Sequence, residues 1–171
     1  MMSAGLLIAR LLLGLGMAAH GAQKLFGSFG GYGIKGTGGF FEGLGFRPGS
    51  LFALAAGLAE FSGGLLTALG FLGPVGPALI ILVLIVAMRT VHVGHGFFAT
   101  SNGIEMPLAY SAGALALAFA GPGLYSLDAA LGLEQLWTPR TAWITIGVAV
   151  LLALGNLAVR RHPAATPSPA T

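Results

Sequence analysis

Glu60 stands in the middle of an apolar stretch, Ser50–Phe71, and four other charged or titratable side chains, His20, Lys24, Arg89 and His92, lie inside further apolar stretches. A carboxylate at the centre of such a run costs several kcal/mol unless it faces a protein interior and has a partner. Glu60 and His92 are the candidate catalytic groups, because a carboxylate and an imidazole deliver or remove protons at a reacting centre. His20, Lys24 and Arg89 are the candidate cofactor-binding groups. One Glu needs one cation, and the surplus positive charge suits an anion or an electron-rich carbonyl. Glu60 paired with Arg89, or with His20, is the arrangement expected to limit the desolvation cost best.

Helical spacing gives these groups shared faces. His20 and Lys24 are four residues apart, Arg89 and His92 three, and Arg10 and Lys24 two heptads. At 1.5 Å per residue, His20 and Arg89 fall about 7 Å from the midpoints of their stretches, toward the segment that follows the first one. His92 falls about 11 Å and Lys24 about 13 Å the same way, while Arg10 lies about 8 Å in the opposite direction. The competing reading is structural. Such a network serves only to dock helices, and Arg10 and Lys24 snorkel to an interface.

Composition says what must position them. The chain is 56% hydrophobic and 8% charged, where an ordinary soluble domain carries about 25% charged residues. It does not have enough polar groups to cover its own surface, so lipid covers it. The 29 glycines suit close-packed transmembrane helices. Leu, Ala, Ile and Val dominate without two-residue alternation, which excludes a β-barrel and leaves an all-α membrane protein.

The spans read as 5–26, 50–71, 74–95 and 106–121, with a fifth at 141–159 inside an extra segment 133–160. Phe71-Leu72-Gly73-Pro74 joins the second and third in an antiparallel hairpin, and Gly121-Pro122-Gly123 stops the fourth. The tail, 161–171, has nothing to bury and is expected to be disordered. The segment 27–49 is expected to be a Gly- and aromatic-rich loop seated at the interface by Phe26, Phe29, Tyr32, Phe40, Phe41 and Phe46, or folded as a lid. Small residues recur at helical spacing, Gly14/Ala18/Ala22, Ala55/Ala59/Gly63 and Ala112/Ala116/Ala120. They predict packing within the bundle, with a homodimer seam as the alternative. Lys24, Lys35 and Arg47 fall on the same side as Arg160 and Arg161, which assigns that side and the C-terminus to the cytoplasm.

Several function classes fall away. Eight scattered Lys and Arg make no stripe for phosphates, so nucleic acid is not a partner. With no Cys there is no dithiol redox exchange or thiolate metal site, and no tight His/carboxylate spacing suggests another metal. Gly31-Tyr-Gly33-Ile-Lys-Gly36 matches G-x-G-x-x-G, but no strand precedes it. Arg10 and the lack of a basic leader argue against a cleaved signal. His20 and His92 lie at depths compatible with two axial haem ligands, yet a lone pair of His is weak evidence and Lys24 and Arg89 are poor company for an apolar porphyrin.

Arg10 before Gly14, His20-Gly21 with Lys24-Leu25, Glu60 with Gly63-Gly64 and Gly70, His92, and Gly121-Pro122-Gly123 leading to Ser126-Leu127-Asp128 together resemble the DoxX/DoxD-like membrane proteins over about residues 5–132. The resemblance implies a four-helix transmembrane bundle, residues 1–132, to which the C-terminal span adds a fifth helix. It also implies redox chemistry, as in the membrane subunit of thiosulfate:quinone oxidoreductase. On that basis the expected function is a small redox-associated subunit in the bacterial inner membrane. It would bind a quinone and couple to an electron-donating, thiosulfate- or sulfur-oxidising partner. The alternative is a non-catalytic scaffold of a larger respiratory or reaction-centre complex, held by a partner subunit or by a second copy of itself.

Overall fold

The computed structural model describes residues 2–161; the expected disordered tail, from residue 162 onward, lies outside them. Among the described residues every regular element is helical. Four helices are long and apolar enough to cross a membrane: α1 (Met2–Phe26), α3 (Gly49–Leu69), α4 (Val75–His95) and α7 (Pro139–Ala158). Between α4 and α7 lie α5 (Glu105–Ala120) and the single-turn α6 (Leu127–Ala130). At 16 residues α5 is about 24 Å long, short of the ~30 Å hydrocarbon core, though it is mostly apolar after Glu105.

One expectation is corrected at once. The segment between the first two spans is not simply a loop, because α2 (Gly33–Gly43) occupies its centre and packs on α3. Gly49 makes this contact possible, since a Cβ there would lie 2.0 Å from the Gly38 carbonyl oxygen and 2.5 Å from Cγ of Glu42. Glu42 Oε1 then accepts from the Gly49 backbone N–H (3.2 Å) at the start of α3, where a negative charge suits the helix dipole.

The helices alternate in direction, and each contact has a local cause. In lipid no hydrophobic drive pushes helices together, so backbones must approach closely enough for dispersion to hold them. Glycine permits this between α1 and α3. A Cβ on Gly14 would sit 2.6 Å from the Gly64 oxygen, one on Gly21 2.3 Å from the Phe61 nitrogen, and one on Gly64 2.4 Å from the Ala18 nitrogen. The α1 ridge Gly14/Ala18/Ala22 is therefore buried as expected. The α3 ridge differs in part: Gly63 is buried as expected, with Ala53, Gly57, Glu60, Gly64, Thr67 and Ala68, while Ala55 is exposed and Ala59 only partly covered. The Ala112/Ala116/Ala120 row of α5 is exposed and does not pack inside the bundle.

α4 is the central helix. It packs against α3, α5 and α7, and its Ala78, Ile80, Ile81 and Leu84 form the middle of the core with Met17, Ala114, Ala118, Ile146 and Ala149. The α3–α4 hairpin turns through Gly70 and Gly73, both in the left-handed region (φ 63° and 50°) that glycine adopts without strain. At the other end of the bundle the Arg160 side chain donates to the Leu44 carbonyl, and the Arg161 backbone N–H donates to Gly45 O (2.8 Å). The end of α7 is thereby fastened to the α2–α3 connection, as alternating spans require.

Candidate functional site

Two polar clusters lie at opposite ends of the bundle. At the hairpin end, Arg10 is buried (3% exposed) and does not reach an interface. Its terminal nitrogens donate to the carbonyls of Pro122 and Tyr125, while its Nε has no partner among the described residues. Asp128, fully buried, accepts from the Leu72 N–H (3.1 Å) and the Gly73 N–H (2.7 Å), and its own N–H donates to Gly70 O (3.1 Å). Ser126 caps α6 by accepting from the Ala129 N–H. Arg10 and Asp128 together clamp the α3–α4 turn to the segment after α5.

The second cluster lies toward the α2 end. Lys24, in the last turn of α1, donates to Glu60 Oε2 at 2.5 Å. The expected partners of Glu60 were Arg89 or His20, and the reason for the difference is register. Gly21 rests on the Phe61 backbone and Gly57 lies under Leu25 and Lys24, with an added Cβ meeting Leu25 at 2.8 Å and Lys24 Cβ at 3.3 Å. Where α3 has no side chain, the lysine stem crosses its surface to reach the carboxylate. This is the one ion pair among the described residues. The Glu60 side chain is 6% exposed and that of Lys24 24%.

Beside this pair opens a cavity of about 480 Å³. Phe40 and Phe41 of α2, Phe46, and Phe52 of α3 form an aromatic wall, with Phe46 and Phe52 ring centroids 5.1 Å apart. Val83, Val86, Thr90, Val91 and His92 of α4 line another side, and Leu152 and Asn156 of α7 close it. The Met88–His92 turn of α4 is π-helical, a wider turn that often marks functional positions. It brings Thr90 and His92 to the cavity, and His92 Nδ1 lies 2.8 Å from Asn102 O in the following loop.

Of the five residues singled out in the sequence, Lys24, Glu60 and His92 therefore line one cavity. Arg89, on the same π turn, is exposed and does not line it, and His20, one turn before Lys24, is also exposed and outside the lining. The surplus positive charge expected around Glu60 is thus spread over the bundle surface rather than gathered there. Sequence reasoning missed Asn156, although it is the one amide in an otherwise apolar span. For Phe40, Phe41 and Phe46 it offered an interface seat or a lid over the bundle, and their place in the cavity lining fits the lid.

A family model for DoxX matches residues 5–93, more than half of the chain. The chain belongs to the DoxX family. The DoxX match runs from α1 almost to the end of α4 and so contains the Lys24–Glu60 pair, the aromatic wall and His92. The α7 wall of the cavity lies outside the DoxX match. No curated protein and no solved structure matches the chain.

Proposed function

We propose that this DoxX protein is a small redox-associated subunit of a bacterial inner membrane that holds a quinone head group in the cavity beside Lys24 and Glu60. Its electrons come from a partner, for which a thiosulfate- or sulfur-oxidising protein is the candidate. The observation that carries this reading is a partly open cavity with aromatic walls and a polar end. Its size is in the range of small-molecule sites, which are mostly apolar with a few convergent polar groups. A planar ring suits the faces and edges of Phe41, Phe46 and Phe52. Lys24 carries three N–H donors and spends one on Glu60, so the others are free for a ligand carbonyl. A bound quinone accepts two electrons and two protons. Glu60 Oε1 and the His92 ring are the groups of this chain placed to hold or pass those protons. The basic residues Lys35, Arg47, Arg160 and Arg161 share the α2 end, which supports a cytoplasmic position for that end and for the C-terminus.

Native mass spectrometry after extraction in a mild detergent tests the reading. A quinone mass released with the wild-type chain and lost in Glu60→Gln is the expected result. Retention of that mass in Glu60→Gln, or no small molecule in either, overturns it. A second reading has its own observation. Lys24 and Glu60 neutralise each other one to one, as a purely structural pair would, and the exposed Ala112/Ala116/Ala120 row is free to meet another protein. A stoichiometric protein partner released without any small molecule would make the chain a scaffold of a larger complex.

A further inference from the structure

A second, smaller hollow of about 190 Å³ lies between α4 and α7, and its lining is almost wholly apolar: Val75, Ala78, Leu79, Ile144, Thr145 and Val148. Leu82 and Leu152 line both this hollow and the cavity beside Lys24. The two volumes are therefore neighbours, with those two leucines lying between them. α4 and α7 run parallel, and the pair of hollows follows them from His92 at the α2 end to Val75 at the hairpin end. That is 17 residues of α4, or about 25 Å, most of the ~30 Å hydrocarbon core. Polarity falls along this path: Lys24, Glu60, His92 and Asn156 at one end, and a single threonine hydroxyl at the other. That hydroxyl is already bonded to its own helix, donating toward the Thr141 and Ala142 carbonyls at 3.0 Å each.

From this gradient we infer that the ligand of the cavity is amphiphilic, with a single apolar chain that passes between Leu82 and Leu152 and lies in the α4–α7 groove. The inference rests on the quinone reading above and specifies its class: a chain-bearing quinone rather than a free, water-soluble one. The volume of about 190 Å³ supports one chain rather than two. The chain points away from the cytoplasmic end, across the midplane. Lipid tails are as apolar as the groove, so lying in it adds little affinity. The groove orients: it fixes which face of the head group meets Lys24 and Glu60. A test must therefore read position rather than binding strength alone.

The probe is a benzoquinone bearing one alkyl chain with a photoreactive diazirine near its far end. It is added to the full chain in nanodiscs, irradiated, and the labelled residues are mapped by mass spectrometry. The competitor is the same head group without a chain. Label on residues 75–82 and 144–152 that the competitor removes is the expected result. Thr145→Phe fills the groove from a partly exposed position and should abolish that label while chainless quinone still binds. Val148→Trp, from the same wall, serves if Thr145→Phe does not accumulate. Competable label on the outer faces of α1 or α3 overturns the groove and leaves the head-group reading standing. So does label in the groove that is unchanged in the filled variant. The absence of competable label anywhere on the protein overturns both.

Discussion

Replacing Lys24 by Met, Glu60 by Gln, and both together makes a cycle whose outcome follows from the burial of the pair. Lys24→Met leaves a carboxylate that is 6% exposed without its counter-charge. Removing one partner of a buried pair costs about 3–5 kcal/mol. The low end, about 3 kcal/mol, applies here because Lys24 itself is 24% exposed and part of the pair is already screened. Glu60→Gln keeps an oxygen that accepts from Lys24, and loses about 1 kcal/mol, the difference between a charged and a neutral hydrogen bond. In the double variant no charge is buried, and the cost returns to about 1–2 kcal/mol for one poorly partnered amide. At roughly 2–4 °C per kcal/mol for a chain of this size, Lys24→Met should melt about 6–12 °C below wild type. The double variant should melt above that single one. Thermal unfolding in mild detergent, followed by the fluorescence of Trp137 and Trp143, measures all four proteins. Additive effects, with the double variant the least stable, would refute the coupling and with it the geometry of the site.

Glycine contacts give a sharper contrast. Gly21→Ala places a Cβ 2.3 Å from the Phe61 backbone nitrogen and must part α1 from α3, so it should lower the yield of monodisperse protein severely. Gly16→Ala meets nothing within 4 Å and should be neutral or stabilising by about 1 kcal/mol. At the hairpin end, Asp128→Ala leaves the N–H groups of Leu72 and Gly73 unpaired. It should cost about 3 kcal/mol and speed hydrogen exchange at residues 70–74, while the cavity end stays protected. The absence of Cys makes topology easy to measure: Glu134→Cys should react with an impermeant maleimide on intact cells, and Lys35→Cys only after permeabilisation. Labelling of both from one side would break the five-span arrangement.

The membrane class, the approximate helix limits and the burial of Glu60 with a partner were legible because they follow from composition, helix period and the cost of burying charge, all local properties. The partner of Glu60 was not. Depth arithmetic placed Lys24 farther from the carboxylate than His20 or Arg89, because it took each span from its own midpoint. The actual register between α1 and α3 is set by where Gly14, Gly21, Gly57 and Gly64 allow backbones to touch, a property of two helices at once. Arg89 illustrates a second limit. Its spacing to His92 promises a shared face on a regular α-helix, but the π turn at Met88–His92 changes the angular step and separates them. The family resemblance located the Ser126-Leu127-Asp128 segment without showing its role as a clamp on the α3–α4 turn.

That clamp also bears on whether the Lys24–Glu60 pair only cements helices. Both clusters join a cation of α1 to acceptors of other elements, so the hairpin end serves as an internal control for what cementing looks like here. There the terminal nitrogens of Arg10 are taken up by two carbonyls, both oxygens of Asp128 accept backbone N–H groups, and Gly70 is packed so tightly that a Cβ would overlap Arg10. The α2 end is built differently. Lys24 has donors to spare, Glu60 has one oxygen outside the pair, and both face about 480 Å³ that neither α2 nor α7 fills. A pair that only docked helices would gain from a side chain in that space, because dispersion holds a bundle together in lipid and an unfilled volume forfeits it. Ala55, Ala56 and Ala59 line the cavity on α3, where Leu or Ile would fill it. The chain forgoes packing beside the Lys24–Glu60 pair, and that space is the one the proposed ligand would occupy.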